Sequence, residues 1–208
     1  QSAIGLATEV IDCIHTTAAS HNRVFMVEIM GHKAGWLTLN AGIAGGADII
    51  LIPEIPYNID SVIAKIKQRA ASGNGFTILA VAEGAISQKE AAMSKKEYKQ
   101  HIAELLEKYP SVSYAIADKI LKKTGKEVRV TVPGHMQRGG TPCAYDRVLS
   151  SRLGTTAALM ISREEYGSMV AIQNHVITSV PLKEIAGKLK TIDPKSDIIT
   201  EARLLGIS

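Results

Sequence analysis

The sequence of 208 residues contains few aromatic side chains and few cysteines. Aromatic residues make up 4% of the chain and are not interleaved with its lysines and arginines, so we expect no nucleic-acid partner despite the net charge of +4. The two cysteines, Cys13 and Cys143, form neither a C-x-x-C pair nor a metal-ligand spacing, so we expect no metal site in this chain. Because Gln1–Ser20 shows no secretory signal pattern, a reducing cytoplasm is the expected location.

Long hydrophobic runs are also missing, although hydrophobic residues make up 46% of the chain. Asp48, Glu54 and Glu83 interrupt the most apolar stretches, so none reaches the ~18–20 residues of a membrane helix, and no membrane partner is expected. No serine stands in a G-x-S-x-G context, and no Walker A loop is present. The residues therefore offer groups that hold a substrate but no evident catalytic group.

The chain does contain alternating patterns of buried strands and amphipathic helices. Short apolar runs bounded by turn residues predict strands at Val24–Met30, Asp48–Ile55, Phe76–Ala82 and Glu127–Val132. Helical spacing predicts helices at Ala3–Ser20, Gly35–Gly45, Ser61–Ala71, Ser94–Tyr109, Ser111–Lys123 and Ala144–Ser162. Val170–Val180 predicts a hairpin or two edge strands, and Leu182–Leu205 predicts two short helices. The order predicts an α/β fold, with a mostly parallel sheet flanked by helices in a Rossmann-like three-layer arrangement.

Ligands of parallel sheets bind at the carboxyl ends of the strands, so the residues that follow each strand are candidates for a site. They are Met30-Gly31-His32, Glu54, Glu83 and the loop Gly134–Gly140. In that loop, glycines allow close backbone approach to a ligand, and Arg138 could bind a phosphate; an ordinary connection with a solvated arginine would have the same composition. Glu83 either accepts hydrogen bonds from substrate hydroxyls or is an exposed carboxylate at a strand end.

Two arginines stand on or beside predicted strands. Arg129 lies within Glu127–Val132, and Arg23 lies at the start of Val24–Met30. A charge in an apolar strand costs free energy unless it is paired or lies at an edge. The residues leave two interpretations open, an edge strand that points Arg129 to water or a binding role.

Two long segments resemble the phosphofructokinase family. They are RVFMVEIMGHKAGWLTLNAGIAGGADIILIPEIP (Arg23–Pro56) and RVTVPGHMQRGGTPCAYDRVLSSRLG (Arg129–Gly154), in the family's order and spacing. The resemblance implies 6-phosphofructokinase activity, a kinase reaction of glycolysis that transfers a phosphoryl group from ATP or pyrophosphate to O1 of fructose 6-phosphate. It implies that 1–140 form the smaller, fructose 6-phosphate-binding α/β domain of that family. Residues 141–208 would pack on a larger domain that binds the phosphoryl donor.

The resemblance also implies the roles of individual residues. Side chains and backbone that hold the sugar phosphate would come from Met30, Gly31, His32, Glu83, His135 and Arg138. Arg23 and Arg129 would reach into a neighbouring subunit's site and bind the 6-phosphate, which implies a homo-oligomer, either a dimer or a tetramer.

Several family motifs are absent from the 208 residues. These are the phosphate-cradling glycine-rich loop, the Mg²⁺-binding Gly-Gly-Asp segment and the Thr-Ile-Asp-Asn-Asp catalytic segment. We therefore expect no catalytic residue here and no cofactor bound by this chain alone, with Mg²⁺ and ATP or pyrophosphate used by the complete enzyme. The opening of the chain within a helical pattern suggests the carboxyl-terminal part of such an enzyme. The alternative is a catalytically inactive, sugar-phosphate-binding regulatory module; an unrelated dinucleotide-binding domain would need a G-x-G-x-x-G turn, which is lacking.

Two departures from the family, and one likeness to a branch of it, concern the donor and the effectors. His32 stands where many members have an arginine. His15, Ser72 and Asn74 occupy positions where allosteric members carry basic residues that bind effector phosphates, and Asp48 matches a metal-associated acidic residue of that effector site. Because Ser72 and Asn74 carry no charge, we predict weak or no control by such effectors. The segment Thr141-Pro142 resembles the pyrophosphate-using branches.

Overall fold

A parallel sheet forms the centre of the computed structural model, which describes residues 1–18 and 23–207. Its four strands have the order β2-β3-β1-β4, and every neighbouring pair is parallel. The strands are β1 (Val24–Ile29), β2 (Ile49–Leu51), β3 (Thr77–Ala82) and β4 (Val128–Thr131). Every residue of β1 and β3 is buried, as their unbroken apolar runs predict. The predicted strand Asp48–Ile55 is shorter in the structure, because the chain turns away after Leu51 towards Pro53.

The helices flank this sheet and follow the predicted order. They are α1 (Ser2–Ala18), α2 (Trp36–Ala44), α3 (Ile59–Ala71), α4 (Gln88–Ala91), α5 (Lys95–Lys108), α6 (Val112–Thr124), α7 (Ala144–Ser162), α8 (Leu182–Ile185) and α9 (Asp197–Leu204). The end of the predicted helix Ala3–Ser20 lies outside the described residues. The short helix α4 was not predicted, and α3 begins earlier than predicted because Asn58, not Asp60, caps it.

The two faces of the sheet are covered by different helices. Val24 and Met26 of β1 point to one face, where the buried residues of α3 and α6 join them in one apolar cluster. Phe25, Val27 and Ile29 point to the other face and pack with residues of α1 and α2. This alternation of consecutive strand residues produces a helix–sheet–helix sandwich. The predicted three-layer α/β fold is therefore confirmed.

The described residues form two compact units. One comprises 3–139 and 191–208 and contains the sheet. The other comprises 1–2 and 140–190, where α7 packs against an antiparallel hairpin of β5 (Ser168–Gln173) and β6 (Val176–Pro181). None of the described helices is both long and apolar enough to cross a membrane.

The carboxyl-terminal tail differs from the predicted division at residue 140. Residues 191–208 belong to the sheet unit, not with 141–190. Ile192 and Ile199 are buried there and pack with Leu39 and Ile52. Burial of these two side chains accounts for the return of the tail to the sheet. The packing of 141–190 on a further domain stays a prediction.

Candidate functional site

The carboxyl ends of β1 and β3 meet through Glu83. Its Oε1 accepts hydrogen bonds from the backbone amides of Gly31, at 3.1 Å, and His32, at 2.7 Å. The amide of Glu83 in turn donates to the carbonyl of Ile29. The structure therefore brings the predicted segment Met30-Gly31-His32 and Glu83 together. Oε2 of Glu83 has no hydrogen bond within the described part of the chain and remains able to accept one from a ligand.

Two glycines make this close approach possible. A Cβ atom on Gly84 would lie 1.9 Å from the carbonyl oxygen of His32, and one on Gly31 would lie 2.4 Å from that of Ala34. Neither distance is compatible with van der Waals packing, so both positions require glycine. His32 has a positive φ of 52°, which turns the backbone over the end of β3. The side chain of His32 is exposed.

The loop after β4 is fixed to the same edge by Gln137. Residues Gly134–Arg138 form a 3₁₀ turn, and Gln137 within it is 2% exposed. Its Oε1 accepts from the amide of Met30 at 3.1 Å, and its Nε2 donates to the carbonyl of Gly134 at 3.2 Å. The sequence places Gln137 within the loop but indicates no role for it. Its partner Met30 is too distant in the sequence for any local pattern to indicate the contact.

His135 and Arg138 lie on the exposed side of this turn. Neither side chain forms a hydrogen bond or an ion pair with the residues that the structure describes, which leaves their donors available to a ligand. Because Gln137 fixes the turn beside Met30, the structure places His135 and Arg138 at the same edge of the sheet as Glu83. A guanidinium and an imidazole beside a carboxylate suit a ligand that carries both a phosphate and hydroxyl groups.

Glu54, also a candidate after a strand, has a structural role. Its carboxylate accepts from the amide of Gly35 at 3.0 Å and from the amide of Ile192 at 3.1 Å. It therefore holds the start of α2 and the returning tail. These bonds leave Glu54 no evident role in binding a ligand.

Arg23 and Arg129 lie at the opposite end of the strands. Arg129 pairs in register with Phe25, the second residue of β1, and Arg23 directly precedes that strand. A strand of this length spans roughly 20 Å, so the structure does not bring these arginines to Glu83. β4 is an edge strand of the sheet, as one of the two interpretations of Arg129 expected.

Glu127 joins the two arginines, a contact that sequence reasoning missed. Its Oε2 lies 2.6 Å from Nε of Arg23, and its Oε1 lies 2.6 Å from Nη2 of Arg129. The Arg129 side chain is 58% exposed. One carboxylate thus holds two guanidinium groups together at the surface, where an anion of higher charge could compete for them.

Two residues for which the resemblance implies a place in an effector site, Asp48 and His15, contact the protein itself. Asp48 forms an ion pair with Arg69 at 2.8 Å and accepts from the amide of Ile78 at 2.8 Å. Burial raises the pKa of Asp48 above its ordinary value, although these two partners oppose that shift. A ring nitrogen of His15 lies 3.2 Å from the carbonyl oxygen of Gly46. The prediction of weak effector control stays a prediction.

A cavity of about 790 Å³ opens beside His32 and Glu83, under α4 and α5. Its wall includes Glu28, a carboxylate in the middle of β1 that is only 7% exposed. Oε2 of Glu28 accepts from the hydroxyl of Ser111 at 2.5 Å and from the amide of Ser113 at 3.2 Å. Glu28 therefore caps the start of α6, and this explains how an acid is tolerated in a buried strand.

The described residues do not fit a metal. Within 1–18 and 23–207, no three side chains of histidine, cysteine, aspartate or glutamate lie close enough together to hold an ion. Both cysteines are free thiols. A metal ion that the family resemblance implies would have to be held by residues outside this set.

Comparisons with known proteins show which proteins this chain is similar to. The family model described as Phosphofructokinase matches residues 1–161. A curated relative from Spirochaeta thermophila, named ATP-dependent 6-phosphofructokinase, is 50% identical over 205 residues, which are 99% of this chain and 56% of that protein. The chain thus spans about half the length of the curated relatives that it matches.

Solved structures show the same fold. Phosphofructokinase from Saccharomyces cerevisiae is 33% identical and superposes with a TM-score of 0.71 over 88% of this chain and 23% of that chain. A pyrophosphate-dependent phosphofructokinase from Marinobacter aquaeolei has a TM-score of 0.73 over 95% of this chain and 50% of that chain; at 21% identity it supports the fold alone. By its sequence and its fold, the chain belongs to the phosphofructokinase family.

Proposed function

We propose that this chain supplies the fructose 6-phosphate-binding half of a 6-phosphofructokinase active site. The complete enzyme would transfer the terminal phosphoryl group of ATP to O1 of the sugar phosphate. The observation that carries the proposal is the meeting of three segments at one sheet edge, where Glu83 binds the Gly31 and His32 amides and Gln137 binds the Met30 amide. The name of the Spirochaeta thermophila relative supports ATP as the donor.

In this proposal each group at the edge has a separate task. Oε1 of Glu83 fixes the Gly31–His32 backbone, so Oε2 is left to accept from sugar hydroxyls. His135 and Arg138 present donors to the sugar phosphate from a turn that Gln137 keeps in place. These groups orient the acceptor sugar, and positioning is a large part of catalysis in phosphoryl transfer. The donor nucleotide, Mg²⁺ and the base for the attacking hydroxyl are assigned to residues outside these 208.

Arg23 and Arg129 are proposed to bind the 6-phosphate in the site of a neighbouring subunit. Their place at the far end of β1 from Glu83 supports this role, because they cannot serve the site of their own chain. A phosphate monoester, with a charge of about −1.5 to −2, is a stronger partner than the single carboxylate of Glu127. The complete enzyme would therefore be a homo-oligomer, a dimer or a tetramer, and as a glycolytic kinase it would act in the cytoplasm.

The proposal is tested by calorimetric titration of fructose 6-phosphate into the complete gene product. We expect binding, and we expect Arg138→Ala to weaken it by about 10- to 100-fold, since a hydrogen bond to a charged group contributes about 1.5–3 kcal/mol. Arg203→Ala is the matched control, because Arg203 is an exposed arginine on α9, away from the loop. Equal affinity in wild type and Arg138→Ala would contradict the proposed site.

A turnover assay separates the enzyme from the inactive regulatory module. Complete gene product, fructose 6-phosphate and Mg²⁺ are incubated with either ATP or pyrophosphate, and fructose 1,6-bisphosphate is measured. Turnover with ATP supports the proposal, and turnover with pyrophosphate alone changes only the donor. Binding of fructose 6-phosphate without turnover with either donor would favour the regulatory module.

A further inference from the structure

A second, smaller cavity of about 310 Å³ lies where the start of α3, residues Ser87–Lys89 and one side of α6 meet. None of its lining residues belongs to the candidate substrate site. Its volume is at the lower end of the range for small-molecule sites, which runs from about 300 to 1,000 Å³. A cavity of this size suits a small ester better than a nucleotide.

Lysines dominate the charge of the cavity. Lys119 and Lys123 project from α6, and Lys89 comes from α4, against one lining carboxylate, Asp60. Lys123 contacts Asp60 at 2.5 Å, whereas Lys89 and Lys119 form no ion pair with any described residue. An ammonium group has three donors, so Lys123 can bind Asp60 and a second acceptor at once. The residues that line the cavity therefore carry an excess of two positive charges, which the nearby carboxylate of Glu90 offsets in part because it interacts with Lys119 and Tyr57.

Two donors without a protein partner line the cavity and support a ligand at this place. Tyr57 lines the cavity and is 6% exposed, and its hydroxyl has no hydrogen bond within the described part of the chain. Burial raises the pKa of Tyr57 well above its ordinary value, so the hydroxyl stays protonated and can donate. The amide of Ile59, at the first turn of α3, also lacks an acceptor there, because the Asn58 side chain binds the amide of Asp60 instead.

We propose that this cavity is a binding site for a small phosphate ester, with Lys89 and Lys119 as its charge partners and the Tyr57 hydroxyl as a neutral donor. The unpaired ammonium groups supply the charge, and the start of α3 adds the favourable end of a helix dipole. A ligand here would bridge α3, α4 and α6. It would therefore connect α3 and α6, which pack on one face of the sheet, to α4, which also lines the cavity beside Glu83.

The site is tested on the complete gene product in a parent that carries Arg138→Ala together with Arg23→Ala and Arg129→Ala, because the proposed function assigns these three arginines to the sugar phosphate. Inorganic phosphate and glycerol 3-phosphate are titrated by calorimetry, with concentrations up to about 10 mM, ten times a 1 mM Kd. We expect saturable binding of both probes. Lys119→Ala should weaken it by about tenfold, as the loss of one charge-assisted hydrogen bond requires. Lys67→Ala is the matched control, because Lys67 is an exposed lysine on α3 outside the cavity.

Tyr57→Phe tests whether the Tyr57 hydroxyl binds the ligand. The change removes a single oxygen that has no protein partner, so we expect no loss of thermal stability but phosphate affinity reduced severalfold. Unchanged affinity in both Tyr57→Phe and Lys119→Ala would overturn the proposal. Absence of saturable binding in the parent that carries the three arginine changes would overturn it as well.

Discussion

Replacing Gly84 by alanine tests how the candidate site is built. The new Cβ would lie 1.9 Å from the carbonyl oxygen of His32, which belongs to backbone and cannot rotate away. Because even weak C–H···O contacts lie at about 3.3–3.6 Å, the turn must move by more than about 1 Å. That movement breaks the Gly31 and His32 hydrogen bonds to Glu83, each a bond to a charged group and so a loss of about 1.5–3 kcal/mol. We expect Gly84→Ala to destabilise the protein by about 3–6 kcal/mol, the sum of the two bonds.

The assay compares urea unfolding and fructose 6-phosphate affinity in the complete gene product. Gly75→Ala is the matched control, because a Cβ there meets nothing within 4 Å. We expect this control to unfold like wild type, within about 0.5 kcal/mol, and to bind the sugar phosphate normally. If Gly84→Ala kept both wild-type stability and wild-type affinity, the contact between the two strand ends would not hold the site together.

Three further predictions concern residues that bond across the fold. Gln137→Leu leaves the Met30 amide and the Gly134 carbonyl without their hydrogen-bond partner. We therefore expect the free energy of unfolding in urea to fall by about 2–4 kcal/mol. We also expect a raised KM for fructose 6-phosphate, with little change in the cooperativity of thermal unfolding. Glu127→Gln removes the charge that pairs with Arg23 and Arg129, so we expect the KM for fructose 6-phosphate to fall up to about fivefold. The free energy of unfolding should change by less than about 1 kcal/mol. A raised KM would show that Glu127 does not compete with the phosphate for these arginines. Burial raises the pKa of Glu90, but its hydrogen bonds with Ser87 and His101 outweigh burial and hold the pKa below the ordinary 4.5. The ionised Glu90 therefore stabilises the fold fully above pH 4.5, and this stabilisation is lost as the pH falls through the lowered pKa of the folded state. In Glu90→Gln, the free energy of unfolding in urea should depend less on pH between about pH 3 and 6.

The sequence was informative wherever one segment alone decides the structure. Unbroken apolar runs identified β1 and β3, because only a strand covered on both faces needs apolar residues at every position. Helical spacing placed the start of α5 at Ser94, and in the structure Ser94 and Glu97 form a complete capping box there. The same pattern at Ser87 and Glu90 starts α4, which was missed because four residues are too few to show helical spacing.

Long-range partners account for most of what could not be predicted. Gln137 and Met30 are separated by 107 residues, and Glu28 and Ser113 by 85. No local pattern encodes such a pairing, since it depends on which strands become neighbours. The family resemblance supplied the candidate residues for substrate binding, but it did not indicate that Gln137 positions the loop. The resemblance named side chains that face a ligand, whereas Gln137 faces the protein.

Strand β1 carries candidate substrate groups at both of its ends, and this constrains the proposed enzyme. Arg23 precedes it and Met30 follows it, separated by a buried and therefore rigid strand of roughly 20 Å. A single sugar phosphate is much shorter, so one molecule cannot touch both ends of the same strand. If both ends bind substrate, each site must combine the Glu83 edge of one chain with the Arg23 end of another. A two-fold axis satisfies this requirement with two identical contacts, because each chain gives its arginines to the other. On the proposed function, assembly is therefore a condition for a complete substrate site, not an addition to a site that one chain already holds.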